Sequence, residues 1–279
     1  MAAQYIPAAY SLAAVGVWGT SDFLGGVGTK RTNAFLFTTI VHVSGMLVVG
    51  AIAWMIHAPF PSAASVAWSM LAGGLGGLAL VFFYRALSQG NMGLIAPVAA
   101  VLSASIPTVF TAFHEGFPGK LKILGFIFAG VGVWLISRTE GGSGRPEGIG
   151  VAILCGIGFA GFYMCVSRAG NANVLWVSSC SRLASFAITG TIVLFGKYIA
   201  PVRRSVLGIA IIAGLLDISG TIAFVLASRT GRLDAAVVLS SLYPAITVLL
   251  ARLFLNEHFS RARTLGMVAA LAAVPMIAG

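Results

Sequence analysis

Arg182 and Asp217 stand near the middle of two long apolar runs, SSCSRLASFAITG and AIIAGLLDISGTIAF. Exposed to lipid, each would cost about 2.5–3.5 kcal/mol, so each must face a bundle interior, a cavity or a partner. Their runs are consecutive and therefore antiparallel neighbours, and the guanidinium side chain is long enough to bridge the offset between them. The reading predicts that they pair, as a structural clamp or as a switch that opens when a substrate or a proton reaches Asp217. A second polar group lies in Trp18-Gly-Thr-Ser-Asp22-Phe-Leu-Gly-Gly26. Trp18 and Asp22 are four residues apart and share one helix face. An acid inside an apolar segment marks a functional site by default, against the plainer alternative that it caps or snorkels at a helix end. Tyr84, Arg85 and Gln89, then Tyr163, then Ser240, Ser241 and Tyr243, supply further polar groups for a cavity. Such a set suits reversible binding of a small polar or amphipathic molecule.

Bond-making chemistry finds no comparable support. The histidines, His42, His57, His114 and His258, form no His-Glu-x-x-His pattern and have no acid or cysteine at ligand spacing, so no metal site is assigned. Cys155, Cys165 and Cys180 lie in apolar stretches, form no Cys-x-x-Cys motif and read as small buried hydrophobes. Gly156-Ile-Gly158-Phe-Ala-Gly161 matches the dinucleotide fingerprint in letters, but that motif needs a preceding strand and a helix start facing a phosphate. Gly148, Ala152, Gly156 and Ala160 recur every fourth residue and read instead as a face for close helix packing, as do Gly73 and Gly77. No bound cofactor is implied.

The elements that must position these groups follow from composition. Of 279 residues 58% are hydrophobic and 9% charged, against about 25% charged in an ordinary soluble domain. The surface of a soluble fold of this size could not be covered, so the apolar solvent is a bilayer, whose core each helix crosses with about 20 residues. The formal charge of +10 is spread in ones and twos between apolar runs, as loop anchors and headgroup contacts. No clustered basic face exists for nucleic acid. The expected fold class is all-α, a polytopic membrane protein of about ten transmembrane helices. The spans are 6–28, 34–56, 66–88, 93–114 and 121–138, then 148–167, 173–195, 206–228, 233–254 and 262–278. Proline inside a span frees a carbonyl and can break or kink the helix near a site. Pro97 and Pro107 in the fourth span and Pro244 after Tyr243 are such places.

The polar, glycine-rich stretch TEGGSGRPE, residues 139–147, reads as a linker between a first repeat, 1–138, and a second, 148–279. Phe83, Ala86, Gly90, Leu124 and Gly125 match Phe224, Ala227, Gly231, Leu265 and Gly266 at a constant offset of 141. Glu115 and Glu257 follow the fourth span of each half with a one-residue slip. His42 is the counterpart of Arg182, and the counterparts of Asp217 fall at Gly76 or Gly77. Five spans per half make the second half enter the membrane from the opposite side, an inverted repeat. An even total puts both termini on one side.

These motifs resemble the EamA-type transporters of the drug/metabolite transporter superfamily over nearly the whole chain. The residues that carry the resemblance are Trp18 to Gly26, Ala86 to Glu115, Leu124-Gly125, Ser181-Arg182-Leu183, Ser241 to Pro244 and Leu255-Asn-Glu257. It implies a secondary transporter in the cell membrane, an exporter of a small metabolite such as an amino acid, working by alternating access. It further implies a cavity lined by spans one, three, four, six, eight and nine, with a proton or a counter-substrate as coupling partner. Partners are thus the small-molecule substrate and the lipid bilayer, with a homo-oligomer left open and no nucleic acid. The rival readings are a membrane-embedded enzyme and a channel without coupled transport. The resemblance implies termini inside. The loop charges favour termini outside, with nine Lys and Arg on the far side against five on the side of the termini. Substrate, direction, coupling ion and orientation are not fixed by these residues.

Overall fold

The computed structural model describes residues 5–88, 92–137, 149–255 and 261–278. The linker 139–147, Gln89, Gly90, Gly148, Glu257 and His258 lie outside them. Every regular element among the described residues is an α-helix. In chain order they are α1 (Ile6–Thr29), α2 (Ala34–Met55), α3 (Ala63–Ser88), α4 (Met92–Glu115), α5 (Lys120–Ser137), α6 (Ile149–Ser167), α7 (Val174–Phe195), α8 (Arg204–Thr230), α9 (Leu233–Ser240), α10 (Tyr243–Leu255) and α11 (Arg261–Ala278). Without strands, each helix meets its backbone bonds internally, as a bilayer demands. Six segments among the described residues are long and apolar enough to cross a membrane. They are Ala34–Met55, Ala63–Ala86, Gly150–Ser167, Val174–Phe195, Arg204–Thr230 and Leu233–Ala251.

Side-chain caps set the starts of α2 and α7. Asn33 Oδ1 accepts from the Phe35 and Leu36 amides at 2.9 and 3.4 Å, and Asn173 Oδ1 accepts from the Leu175 amide at 3.0 Å. The same two helices end alike. His57 and Lys197 adopt positive φ, 52° and 54°. The next amides, of Ala58 and Tyr198, reach back to the carbonyls of Ala53 and Val193.

Proline behaves differently at its several positions. Helix α4 runs unbroken from Met92 to Glu115 through Pro97 and Pro107, so neither interrupts it as the sequence allowed. The break comes at Ser241-Leu242, between α9 and α10. Pro244 brings no amide proton there, and the Ser241, Leu242 and Ala245 amides close the turn onto Val237, Leu239 and Leu242.

The extensive helix contacts pair α1 with α8, α3 with α6, α2 with α7, α5 with α11, α4 with α6, α3 with α7, α2 with α8 and α1 with α10. Small residues make these approaches possible. A Cβ on Gly73 would run into the Ser181 carbonyl, and one on Gly77 would meet Ser185 Cβ at 2.6 Å. The glycines of the false nucleotide motif do the same work: a Cβ on Gly156 would meet Leu102 Cβ at 2.7 Å, and one on Gly158 would meet Ala79 Cβ at 2.8 Å.

The bundle has two ends. At one, the Trp176 indole donates to the Ala58 carbonyl at 3.0 Å, Gly231 packs on Pro7, and two arginines of the α8–α9 turn tie down neighbouring loops. Arg229 donates to the Ala172 carbonyl at 2.7 Å, and Arg232 donates to the Gly116 carbonyl at 3.0 Å while pairing with Asp234 at 2.9 Å. At the other end Phe35 stacks on Tyr198 with centroids 5.4 Å apart.

Candidate functional site

The apolar packing of α1 against α8 brings Trp18 to Gly220, where only a hydrogen leaves room for the indole. The Trp18 Nε1–H donates to the Asp217 backbone carbonyl at 3.1 Å. One turn on, Ser21 donates to the Ala213 carbonyl at 2.9 Å and lies 3.3 Å from the Tyr84 hydroxyl. Helix α1 is thus fixed to α8 and α3, and its next residue, Asp22, points into the interior rather than snorkelling. The Tyr84 hydroxyl lies beside the Asp22 carboxyl.

The pair expected between the two mid-span charges forms. Arg182 Nη2 lies 2.8 Å from Asp217 Oδ2, with side chains 5% and 7% exposed. The same nitrogen donates to Thr221 Oγ1 at 2.7 Å. Nothing else among the described residues hydrogen-bonds the Arg182 Nε–H, which is shut away from solvent. The site enjoys charge balance within this pair but carries the strain of one unmet donor.

A cavity of about 50 Å³ opens between these groups. Its wall is made by Trp18 and Asp22 of α1, Gly76 and Leu80 of α3, Phe159, Phe162 and Tyr163 of α6, Arg182 of α7, Asp217 of α8 and Tyr243 at the start of α10. The rings form one cluster: Trp18 lies 6.0 Å from Tyr163 and 5.9 Å from Phe224, and Tyr163 lies 4.6 Å from Phe224. The break at Ser241-Leu242 is what delivers Tyr243 to the wall. The space holds a few waters at most, so a metabolite enters only if the walls move apart.

Of the residues singled out by sequence, Trp18, Asp22, Tyr163, Arg182, Asp217 and Tyr243 come together at this cavity. Tyr84 is fully buried behind it and acts through Asp22 and Ser21. Ser240 and Ser241 are buried but do not line it, and Ser241 spends its hydroxyl on the Val238 carbonyl at 2.8 Å. Arg85 is exposed, away from the wall. Gln89 lies outside the described residues. Sequence reading passed over Phe159, Phe162 and Leu80, because apolar residues in an apolar span carry no signal of facing a cavity, and it named Gly76 only as a counterpart of Asp217. His42 was read as the counterpart of Arg182. It is wholly buried, both ring nitrogens lack a partner among the described residues, and it feels the Arg182 charge.

Fold and site together define a polytopic helical membrane protein with a charged, aromatic-walled cavity inside the bundle. Residues 146–279 match the model of the EamA-like transporter family. The second half of the chain is therefore similar to that family of transporters. A solved structure, described only as the crystal structure of a protein, is 20% identical. It covers 97% of this chain and 95% of its own with a TM-score of 0.75. That likeness extends the shared fold over both halves and says nothing of substrate. No curated protein matches the chain.

Proposed function

We propose that the chain is a secondary transporter that carries a small polar or amphipathic metabolite, such as an amino acid, out across the cell membrane by alternating access between two inverted five-helix repeats. The observation that carries the reading is the cavity holding Asp22 and the Arg182–Asp217 pair, walled by helices of both halves. Ionisable groups inside a membrane bundle belong to transport paths more often than to scaffolding.

The pairing of helices supports the repeat. Exchanging α1–α5 for α6, α7, α8, α9/α10 and α11 turns α1·α8 into α6·α3, α3·α7 into α8·α2, and α4·α6 into α10·α1. The same exchange leaves α2·α7 and α5·α11 unchanged, as a two-fold axis through the bundle requires. The cavity lies on that relation. At the offset of 141, Trp18 corresponds to Phe159, Asp22 to Tyr163 and Gly76 to Asp217, and all six residues line it. The family match over 146–279 coincides with the second repeat. On this reading α1, α4, α5 and α11 also cross the bilayer, making ten spans with α9 and α10 as one.

The test is a metabolite uptake and efflux screen with the purified chain in proteoliposomes. A transporter gives saturable flux that is accelerated by substrate on the opposite side. Steady conductance without saturation would instead make it a channel, and chemical conversion of the metabolite without a gradient would make it an enzyme.

A further inference from the structure

We infer that the central cavity selects an organic cation, a substrate bearing a protonated or quaternary amine, and that Asp22 is its anionic anchor. This rests on the transporter reading and narrows its metabolite to one class.

The argument starts from charge. Three ionisable side chains of opposite sign meet at the wall: Asp22, Asp217 and Arg182. Arg182 is spent on Asp217 at 2.8 Å and on Thr221 at 2.7 Å. Among the described residues Asp22 has no cationic partner, and the group beside it, the Tyr84 hydroxyl, is neutral. With these groups ionised, the cavity holds one negative charge more than positive. A buried charge needs a counter-charge, and the fold withholds it here.

Donor and acceptor capacity point the same way. The Trp18 indole N–H is committed to the Asp217 carbonyl. The unmet Arg182 Nε–H is sealed from the space and cannot reach a guest. The guanidinium charge is already paired with Asp217, so an anionic substrate would face two carboxylates, Asp22 and Asp217, against one cation. The groups left to meet a guest are the Asp22 carboxylate, the Arg182 Nη1 group and two tyrosines of the wall, Tyr163 of α6 and Tyr243 of α10.

The aromatic wall decides between kinds of cation. An inorganic ion needs several oxygen ligands at fixed distance, whereas Trp18, Phe159, Phe162 and Tyr163 present rings and hydrocarbon. Ring faces attract an ammonium or alkylammonium group, and more so where water is excluded. A carboxylate at one end and an aromatic enclosure around it are the complement of an amine on an apolar body.

The test uses the full chain in detergent and a set of probes matched in shape: benzylammonium, benzyl alcohol and benzoate, with tetramethylammonium, sodium and potassium as further cations. Ligand binding is read by titration calorimetry and by the rise in unfolding midpoint. The expected result is binding of benzylammonium and tetramethylammonium alone. Asp22→Glu should retain it, and Asp22→Asn should weaken it by about tenfold or more, the scale of a lost charged hydrogen bond. Benzoate or benzyl alcohol binding as well as benzylammonium, sodium giving the same response, binding unchanged in Asp22→Asn, or no ammonium binding at all would each overturn the inference. The probe series works on the unaltered chain, so it decides even if Asp22→Asn does not fold. Proteoliposome flux separates the two readings. Ammonium binding through Asp22 without flux would end the transporter reading and leave this one standing. Saturable flux of an anion, indifferent to Asp22→Asn, would do the reverse.

Discussion

The buried pair of Arg182 and Asp217 is where one side chain decides most. Removing one member leaves the other charged and buried, a loss of about 3–5 kcal/mol, whereas replacing both with apolar side chains is often neutral. Asp217→Asn and Arg182→Met should therefore each lower the unfolding midpoint of the detergent-solubilised chain, and the double variant Arg182→Met/Asp217→Leu should recover most of it. Recovery of stability together with lost transport assigns the pair a switching role; recovery of both leaves it a clamp. Asp22 differs, because no arginine depends on it. Asp22→Asn is expected to insert and fold near normally and to lose transport, read as flux in proteoliposomes against the amount of folded protein. Full flux would remove Asp22 from the path. His42, read from sequence as the counterpart of Arg182, has two ring nitrogens without a partner among the described residues, whereas Arg182 has a carboxylate.

Helices are held at two kinds of place, close approaches and ends. The α3–α7 contact depends on Gly73, whose missing Cβ admits the Ser181 carbonyl, and on the Ser185 hydroxyl donating to the Gly73 carbonyl at 2.7 Å. Gly73→Ala puts a methyl group against backbone that cannot yield. It should cost about 1–3 kcal/mol, seen as a lower midpoint, with a larger drop for Gly73→Val. Helix ends allow a paired measurement. His57 and Lys197 occupy the left-handed region that costs a side-chain-bearing residue about 1–2 kcal/mol. Glycine removes that cost and gives back about 0.5–1 kcal/mol in chain entropy. His57→Gly and Lys197→Gly are expected to raise the midpoint slightly, with the same sign and similar size. Opposite signs would argue that the two caps are not equivalent and weaken the repeat.

At the scale of the whole molecule the contacts sort the loops into two ends, and this makes topology testable. Ala58, Gly116, Ala172 and Gly231 belong to one end with Pro7, and Phe35 and Tyr198 to the other. Reporter fusions at Met1 and Gly279 should give the same signal. Single cysteines at Ala58 and Tyr198, in a background with Cys155, Cys165 and Cys180 replaced, should react with a membrane-impermeant thiol reagent from opposite sides. Agreement of Ala58 with Tyr198 would mean that a span has been miscounted. The side on which Tyr198 labels also decides between the loop charges, which favour termini outside, and the family resemblance, which implies them inside.

Composition and run length determined that this chain is helical and lives in a bilayer, because 9% charged residues cannot cover a soluble surface. Span positions followed from apolar runs, without their caps. Asn33 and Asn173 stand one residue before α2 and α7, and the helices observed lie within a few residues of those read. The partnership of Arg182 and Asp217 was legible too, since a charge in mid-span has few places to go. What the chain could not announce was which apolar faces turn inward. Phe159, Phe162 and Leu80 look like any lipid-facing residue in one dimension, and only the packing of α3 and α6 across from α1 makes them a wall. Nor could it say which proline breaks its helix. Pro97 and Pro107 sit inside a continuous α4 while the chain breaks just before Tyr243, because a freed carbonyl and a missing amide are tolerated or not according to the neighbours that meet them in three dimensions. Asp22 divides the two kinds of knowledge. Its presence in a span was a sequence fact, and its lack of a cation became visible only when the fold committed Arg182 to Asp217.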